Sequence, residues 1–180
     1  MNPLSENMKR RLRNYIISGA RNYNKYLADK VFKIVCKDGD TVEIRFFISD
    51  FKHLTGLYSD LKNNEFYKEC IHGTISIGNI NTKQKYDWNT LRTKCRFIEN
   101  IHELLYKDCQ KVLVLKMLDT KTVVFPYAVK NLSNNICVGF VSDINKARSL
   151  RKASGSTRFQ SEKNIIAIFA KNSDQLKYHQ

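Results

Sequence analysis

Residues 31–37 and 41–48 are two strand-like runs joined through Asp38-Gly39, and no other feature of the 180-residue chain constrains its fold as tightly. Asp-Gly between such runs suits a type I′ hairpin, in which both central residues take positive φ. A two-residue loop sets Val35 opposite Val42, Lys33 opposite Ile44 and Val31 opposite Phe46. Because side chains alternate along a strand, one face then collects Val31, Val35, Val42, Ile44 and Phe46.

Residues 4–29 read as helix, with a break expected near Ser18-Gly19. Leu12, Tyr15, Ile16, Tyr23, Tyr26 and Leu27 recur at helical spacing, while Lys9, Arg10, Arg11, Arg13, Arg21 and Lys25 crowd the other side. Such a basic helix fits a solvated face, a nucleic-acid arm or, least well, a membrane-surface helix. Ser49 or Asp50 can cap a short helix ending at Gly56, and residues 63–72 form another that stops at Gly73. Residues 78–90 read as loop with a turn of helix. Asn100 with Glu103 looks like an N-cap pair opening a helix through Ile101, Leu104 and Leu105, which leaves residues 95–98 as an extended lead-in.

From residue 111 the character is β. Residues 111–118, 122–129, 136–141 and 165–170 are rich in Val, Ile and Phe, with turns at 119–121 and 133–135. Pro126 cannot donate to a ladder, so its strand is expected at an edge or bulged. The pattern is α+β: N-terminal helices packed on a mainly antiparallel β-sheet, preceded by the hairpin. The expectation is one domain over 1–180, with a basic helical segment at 1–30, a core at 31–171 and a tail at 172–180.

Charge limits the partners. Thirty-one Lys and Arg face 17 Asp and Glu, a formal charge of +14 and a pI near 9.6. An excess of this size repels itself unless a polyanion relieves it. Nucleic acid is the first partner to consider, an anionic membrane surface the second; plain solubility is the bland alternative. No run approaches the ~18 apolar residues of a membrane span, and the basic N-terminus lacks the apolar region of a secretory signal. The cysteines, Cys36, Cys70, Cys95, Cys109 and Cys137, are odd in number and contain no C-x-x-C pair. That pattern points to reduced thiols in a cytoplasmic setting, without a disulfide framework or structural zinc.

Phosphate-binding glycine loops, zinc-protease motifs and clustered acids for Mg²⁺ are missing from the sequence. Two-metal nuclease chemistry is thus poorly supported, and no cofactor or metal is expected. Metal-independent RNA cleavage asks only for a base, an acid and cations on the phosphate, with the substrate's 2′-hydroxyl as nucleophile. His53 falls in the first turn of its expected helix, where the positive helix end would help keep the ring neutral; a histidine satisfying a local backbone group is the competing reading. The stretch 146–158 carries Lys146, Arg148, Arg151, Lys152 and Arg158, with Ser154, Ser156 and Thr157 among them and no acid between Asp143 and Glu162. It can follow a phosphate backbone, or be an ordinary basic loop. Arg96 and Lys116 are cations beside apolar neighbours, for which a structural ion pair is the commoner explanation. Trp88 and Tyr86 could stack on a base or simply pack, and His102 reads as packed.

The order VFKIVCKDGDTVEIRFFISDFKHLTGL, a helix ending ECIHGTIS, CRFIENIHELL and a β-rich C-terminal half resembles a phage-associated family of Barnase–EndoU–ColicinE5/D–RelE-like nucleases. The resemblance runs over residues 23–171 and is sharpest at F-x-H-L-x-G-L, residues 51–57. It implies helices packed on a four-stranded antiparallel sheet, and metal-independent endoribonuclease chemistry often deployed as a toxin. The family's polar positions fall on His53, Arg96 and Lys116, with a late hydroxyl at Ser154, Ser156 or Thr157. The stretch RSLRKASGSTRFQSE departs from the pattern by offering several hydroxyls. RNA is the implied partner, and an antitoxin or immunity protein a further one. The rivals are a catalytically silent nucleic-acid-binding protein on the same scaffold and a protein that uses its charge only for adhesion.

Overall fold

The computed structural model describes residues 4–82, 86–106, 109–120, 123–141, 145–153 and 158–172. The helices are α1 (Glu6–Tyr26), α2 (Phe51–Thr55), α3 (Asn63–His72), α4 (Trp88–Glu99) and α5 (Glu103–Tyr106). The strands are β1 (Lys30–Cys36), β2 (Thr41–Phe46), β3 (Leu57–Tyr58), β4 (Asn81–Thr82), β5 (Val112–Asp119), β6 (Val124–Asn131), β7 (Ile136–Val141), β8 (Lys146–Lys152) and β9 (Ser161–Asn172). They fall into two compact units, Met1–Ala28 with Ile48–His102, and Asp29–Phe47 with Glu103–Gln180.

The first unit holds α1 to α4 and the two-stranded pair β3–β4, Leu57 opposite Thr82 and Tyr58 opposite Asn81. The hydroxyl of Ser5 accepts from the Met8 amide and opens α1. The helix buries Leu12, Ile16, Gly19, Ala20 and Tyr23, one stripe at helical spacing. It does not break at Ser18-Gly19, contrary to expectation. Gly19 serves close approach instead: a Cβ there would stand 2.9 Å from Ile98 Cγ2 and 3.1 Å from the Ile98 carbonyl carbon. Tyr23, Phe51 and Tyr67 pack edge-on or tilted around one another, with Phe66 beside Phe51.

Two cations of the basic helix have structural duties. Arg13 donates to the Gly73 carbonyl at 2.6 Å and to that of Ile75 at 2.7 Å, and Arg21 to that of Ile71 at 3.2 Å. They satisfy carbonyls at and just past the end of α3, where the helix leaves acceptors without partners. The α3 stop at Gly73 matches the sequence reading, with φ 74 there.

Residues 95–98 are helix, correcting the extended lead-in. Asp87 caps α4 by accepting from the Thr90 amide at 2.7 Å, and Asn100 closes that helix rather than opening the next. The Asn100–Glu103 pair resembled a capping box, but Asp87 provides the better-placed start, and α4 buries Leu91, Cys95 and Ile98.

The second unit is a closed barrel in the order β1-β2-β8-β7-β6-β5-β9. This corrects the expectation of a plain antiparallel sheet preceded by a hairpin. The hairpin is part of the wall, because β9 pairs antiparallel with both β1 and β5. The circle closes where β2 runs parallel to β8.

The hairpin itself is shifted by one residue from the expected register. Ile34 lies opposite Val42 and Phe32 opposite Ile44. The loop has three residues, not two: the Gly39 amide donates to the Cys36 carbonyl and the Cys36 amide to that of Asp40. Of the Asp38-Gly39 pair only Gly39 takes positive φ, at 87°, which fits a turn followed by a left-handed glycine bulge. A one-residue slip exchanges the faces of a strand. The residues of β1 that share a face with buried Val42, Ile44 and Phe46 are therefore Phe32, Ile34 and Cys36, while Val31, expected on that face, is buried on the opposite one. Phe46 meets both Phe32 and Phe140 edge to face.

Residues 146–152, not among the strands expected, are strand β8. Ala147 and Leu150 are its buried anchors. Opposite β7 the register shifts, Gly139 facing Ser149 and Phe140 facing Ala147, so Arg148 is the extra residue of a bulge. Pro126 lies at a break in the β5–β6 ladder, whose partners skip Met117 and Pro126, with Met117 at φ 51. Beyond that break Phe125 covers Gly139, where a Cβ would sit 2.7 Å from the ring. Phe125 joins Leu113, Leu115, Leu118, Ala128, Cys137 and Ala153 in a small second core.

Candidate functional site

His53 is exposed on α2. A 3₁₀ turn at Ile48–Asp50 leads into this five-residue helix, so His53, its third residue, lies in its first turn and its closing turn alike. Arg96 is exposed in the last turn of α4, and its carbonyl accepts from the Asn100 amide side chain at 3.5 Å. Both residues belong to the helical unit.

The other expected residues belong to the barrel unit. Lys146, Arg148, Arg151 and Lys152 lie on β8, half-buried or exposed. Arg158 is exposed and bridges to Asp119, whose amide donates to the Arg158 carbonyl at 2.9 Å. Ser154, Ser156 and Thr157 lie outside the described residues.

Lys116, on β5, is committed to a charge cluster. Its ammonium donates to the Asp40 carboxylate at 2.8 Å, and Lys163 of β9 reaches both Asp38 and Asp40. The Asp38 carboxylate also accepts from the Asp40 amide at 3.2 Å, tightening the turn. The bonds from Lys116 and Lys163 hold the Asp40 carboxyl down to about 2. Lys163 likewise lowers Asp38, and the two carboxylates raise Lys163. In barrel order β5 is three strands from β8, roughly 14 Å of wall at the usual strand spacing. The structure thus places Lys116 away from the β8 cations and gives it acidic partners.

Two cations missed in the sequence stand beside the β8 set. Arg45 is the registered neighbour of Lys146 across the parallel seam. Lys130 and Arg151 flank Cys137 from either side, each in register with it. Among the described residues, none of Arg45, Lys130, Lys146, Arg148 or Arg151 has an ion-pair partner. Period-two patterning around Ala147 and Leu150 was the one sequence signal for this strand, and the bulge at Arg148 disrupts it.

Among the described residues no group of three His, Cys, Asp or Glu could hold a metal ion, and no helix is long and apolar enough to cross a membrane. What the barrel wall offers chemically is a row of fixed cations on one strand and its neighbours, suited to phosphate oxygens.

No curated protein and no solved structure matches the chain significantly. The sequence profile described as "phage-Barnase-EndoU-ColicinE5/D-RelE like nuclease4" matches residues 16–180, nearly the whole chain. The resemblance read from residues 23–171 and the F-x-H-L-x-G-L motif is thereby extended. With 165 of the 180 residues (16 through 180) inside the match, the chain belongs to this phage-associated, Barnase–EndoU–ColicinE5/D–RelE-like nuclease family.

Proposed function

We propose that the protein is a metal-independent endoribonuclease, deployed as a toxin by a phage or mobile element and acting on RNA in the cytoplasm. The observation that carries this reading is the family match over residues 16–180. The +14 charge and the cations of β8 support a polyanionic substrate. In the reaction the 2′-oxygen attacks the adjacent phosphorus while a base takes its proton. The 5′-oxygen then departs with a proton from an acid, leaving a 2′,3′-cyclic phosphate. His53 is assigned the acid–base role, Arg96 and Lys116 the charge of the phosphorane, and Ser154 or Thr157 a supporting hydroxyl. Lys146, Arg148, Arg151, Lys152 and Arg158 are assigned to the RNA backbone. A toxin of this kind calls for an antitoxin or immunity protein.

The Lys116–Asp40 ion pair favours a second reading, in which the scaffold binds nucleic acid without cutting it. An end-labelled RNA incubated in EDTA separates the two. Wild-type protein cuts it under the first reading. His53→Ala then loses cleavage by about 10²-fold or more, the scale of a general acid–base group, while a gel shift persists. RNA left intact by the wild type, with the shift retained, supports the silent binder. No cleavage and no shift sinks both.

A further inference from the structure

The seam that closes the barrel is its thinnest join. Among the described residues β2 and β8 share a single registered pair, Arg45 with Lys146, supported by the Arg45 amide donating to the Asn145 carbonyl at 3.0 Å. Every other strand neighbour in the barrel shares four or more registered pairs. Yet this one contact sets two cations side by side. Ile44 and Phe46 flank Arg45 as buried residues, and Ala147 next to Lys146 is buried, so both cations project from the face opposite that core. Adjacent strands stand about 4.8 Å apart, and like charges directly opposite are destabilising. Glu43 shares that face of β2 but lies opposite Lys33 in the register with β1. The bulge brings Arg148 to the surface beside the pair, and Arg151 continues the row along β8.

We infer that Arg45, Lys146 and Arg148 form a phosphodiester-binding site that straddles the β2–β8 seam, so that a bound nucleic-acid backbone fastens the barrel where it is weakest. A bridging phosphate would convert a repulsive pair into two charge-assisted contacts. Arg151, further along β8, and Lys130, on β6 across Cys137 of β7, would take the next phosphates of the same nucleic-acid strand. The site rests on the proposal that this protein acts on nucleic acid, and extends it by naming where the backbone lies. Inorganic phosphate offers the same chemistry as one link of that backbone, so the test contains both.

The probe is a single-stranded 2′-O-methyl RNA, which lacks the attacking hydroxyl and reports binding alone. Its affinity is read by fluorescence anisotropy over a salt series, and backbone amide exchange is followed in segments 41–46 and 146–152. The expected result is slowed exchange in both segments with RNA. The Arg45→Gln/Lys146→Gln variant should bind about tenfold more weakly. Its slope of log affinity against log salt should fall by about 1.4, the share of two contacts to a single strand. A variant with the same charge loss elsewhere, Lys68→Gln/Arg92→Gln, should keep the wild-type slope more closely and retain the RNA-induced protection. Equal losses in both variants, or RNA binding without seam protection, would overturn the site. Protection matched by inorganic phosphate at equal phosphate concentration would overturn the polymer as its ligand. Cutting of ordinary RNA without seam protection sinks this site and leaves the nuclease reading standing; seam protection in a protein that never cuts does the reverse.

Discussion

The ammonium of Lys116 on β5 and the carboxylate of Asp40 in the β1–β2 turn meet at 2.8 Å, although 76 residues separate them in the chain. Together with Lys163 and Asp38 they tie the tip of the hairpin to β5 and β9. Asp40→Asn keeps the shape and removes the charge. The Asp40 carboxyl is lowered from 3.8 to about 2, so its contribution is fully present above pH 3.8 and is lost as pH falls towards 2. The variant should be slightly less stable than wild type near neutral pH, with the gap closing across that acid interval and shrinking in high salt. Urea midpoints over a pH series measure this. A gap that stays constant down to the lower limit would show that the charge contributes nothing.

Replacing glycine by alanine inside a helix ordinarily gains about 1 kcal/mol. Gly19→Ala should reverse that sign, because the new methyl meets Ile98 at 2.9 Å on its side chain and 3.1 Å on its backbone. Overpacking of this kind costs about 1–3 kcal/mol. Trimming Ile98 to Ala in the same chain should restore little, since the carbonyl group cannot swing aside. Guanidinium unfolding curves of the two variants decide it; a more stable Gly19→Ala would mean that α1 and α4 lie further apart.

Thiol chemistry should be silent at four cysteines of the folded protein, Cys36, Cys70, Cys95 and Cys137. Burial pushes Cys70 and Cys137 up to about 12 and Cys95 higher still, and Cys36 is raised by burial and by the neighbouring Asp38. All four are buried, unpaired with one another, and short of thiolate near neutral pH. Iodoacetamide at mildly alkaline pH should leave the four corresponding peptides unlabelled in the native state and label all of them in urea. Rapid native labelling of any one would reveal local opening at that position.

Local chemistry was legible in the sequence wherever one residue decided it. Gly56 and Gly73 stop α2 and α3 as read, each in the left-handed region, and the apolar runs at 111–118 and 136–141 are strands. The hairpin was legible but its register was not, because Asp-Gly serves two-residue and three-residue loops alike, and only the Cys36–Asp40 bond distinguishes them. Strand β8 was obscured by its own cations, with Arg148 bulged and the apolar alternation broken around it. Closure depends on β1 meeting β9, a pairing with no local signature. For the candidate site, the chemical type of Lys146, Arg148 and Arg151 was legible. The company each cation keeps was not: Arg45 beside Lys146 and Asp40 beside Lys116 arise from strand order alone.

That β1 pairs with β9, Lys30 with Asn172, also bears on how the protein is made. A growing chain can form the β1–β2 and β5–β6 hairpins early, but the circle cannot be completed until its final strand has been synthesised. Contacts between distant parts of a sequence are formed late and slowly. A chain halted before β9 would hold hairpins with unsatisfied margins on β1 and β5, a state prone to sticking to its own kind. For a member of a nuclease family, this makes the synthesis of β9 a natural checkpoint: no finished barrel exists before that strand has been made.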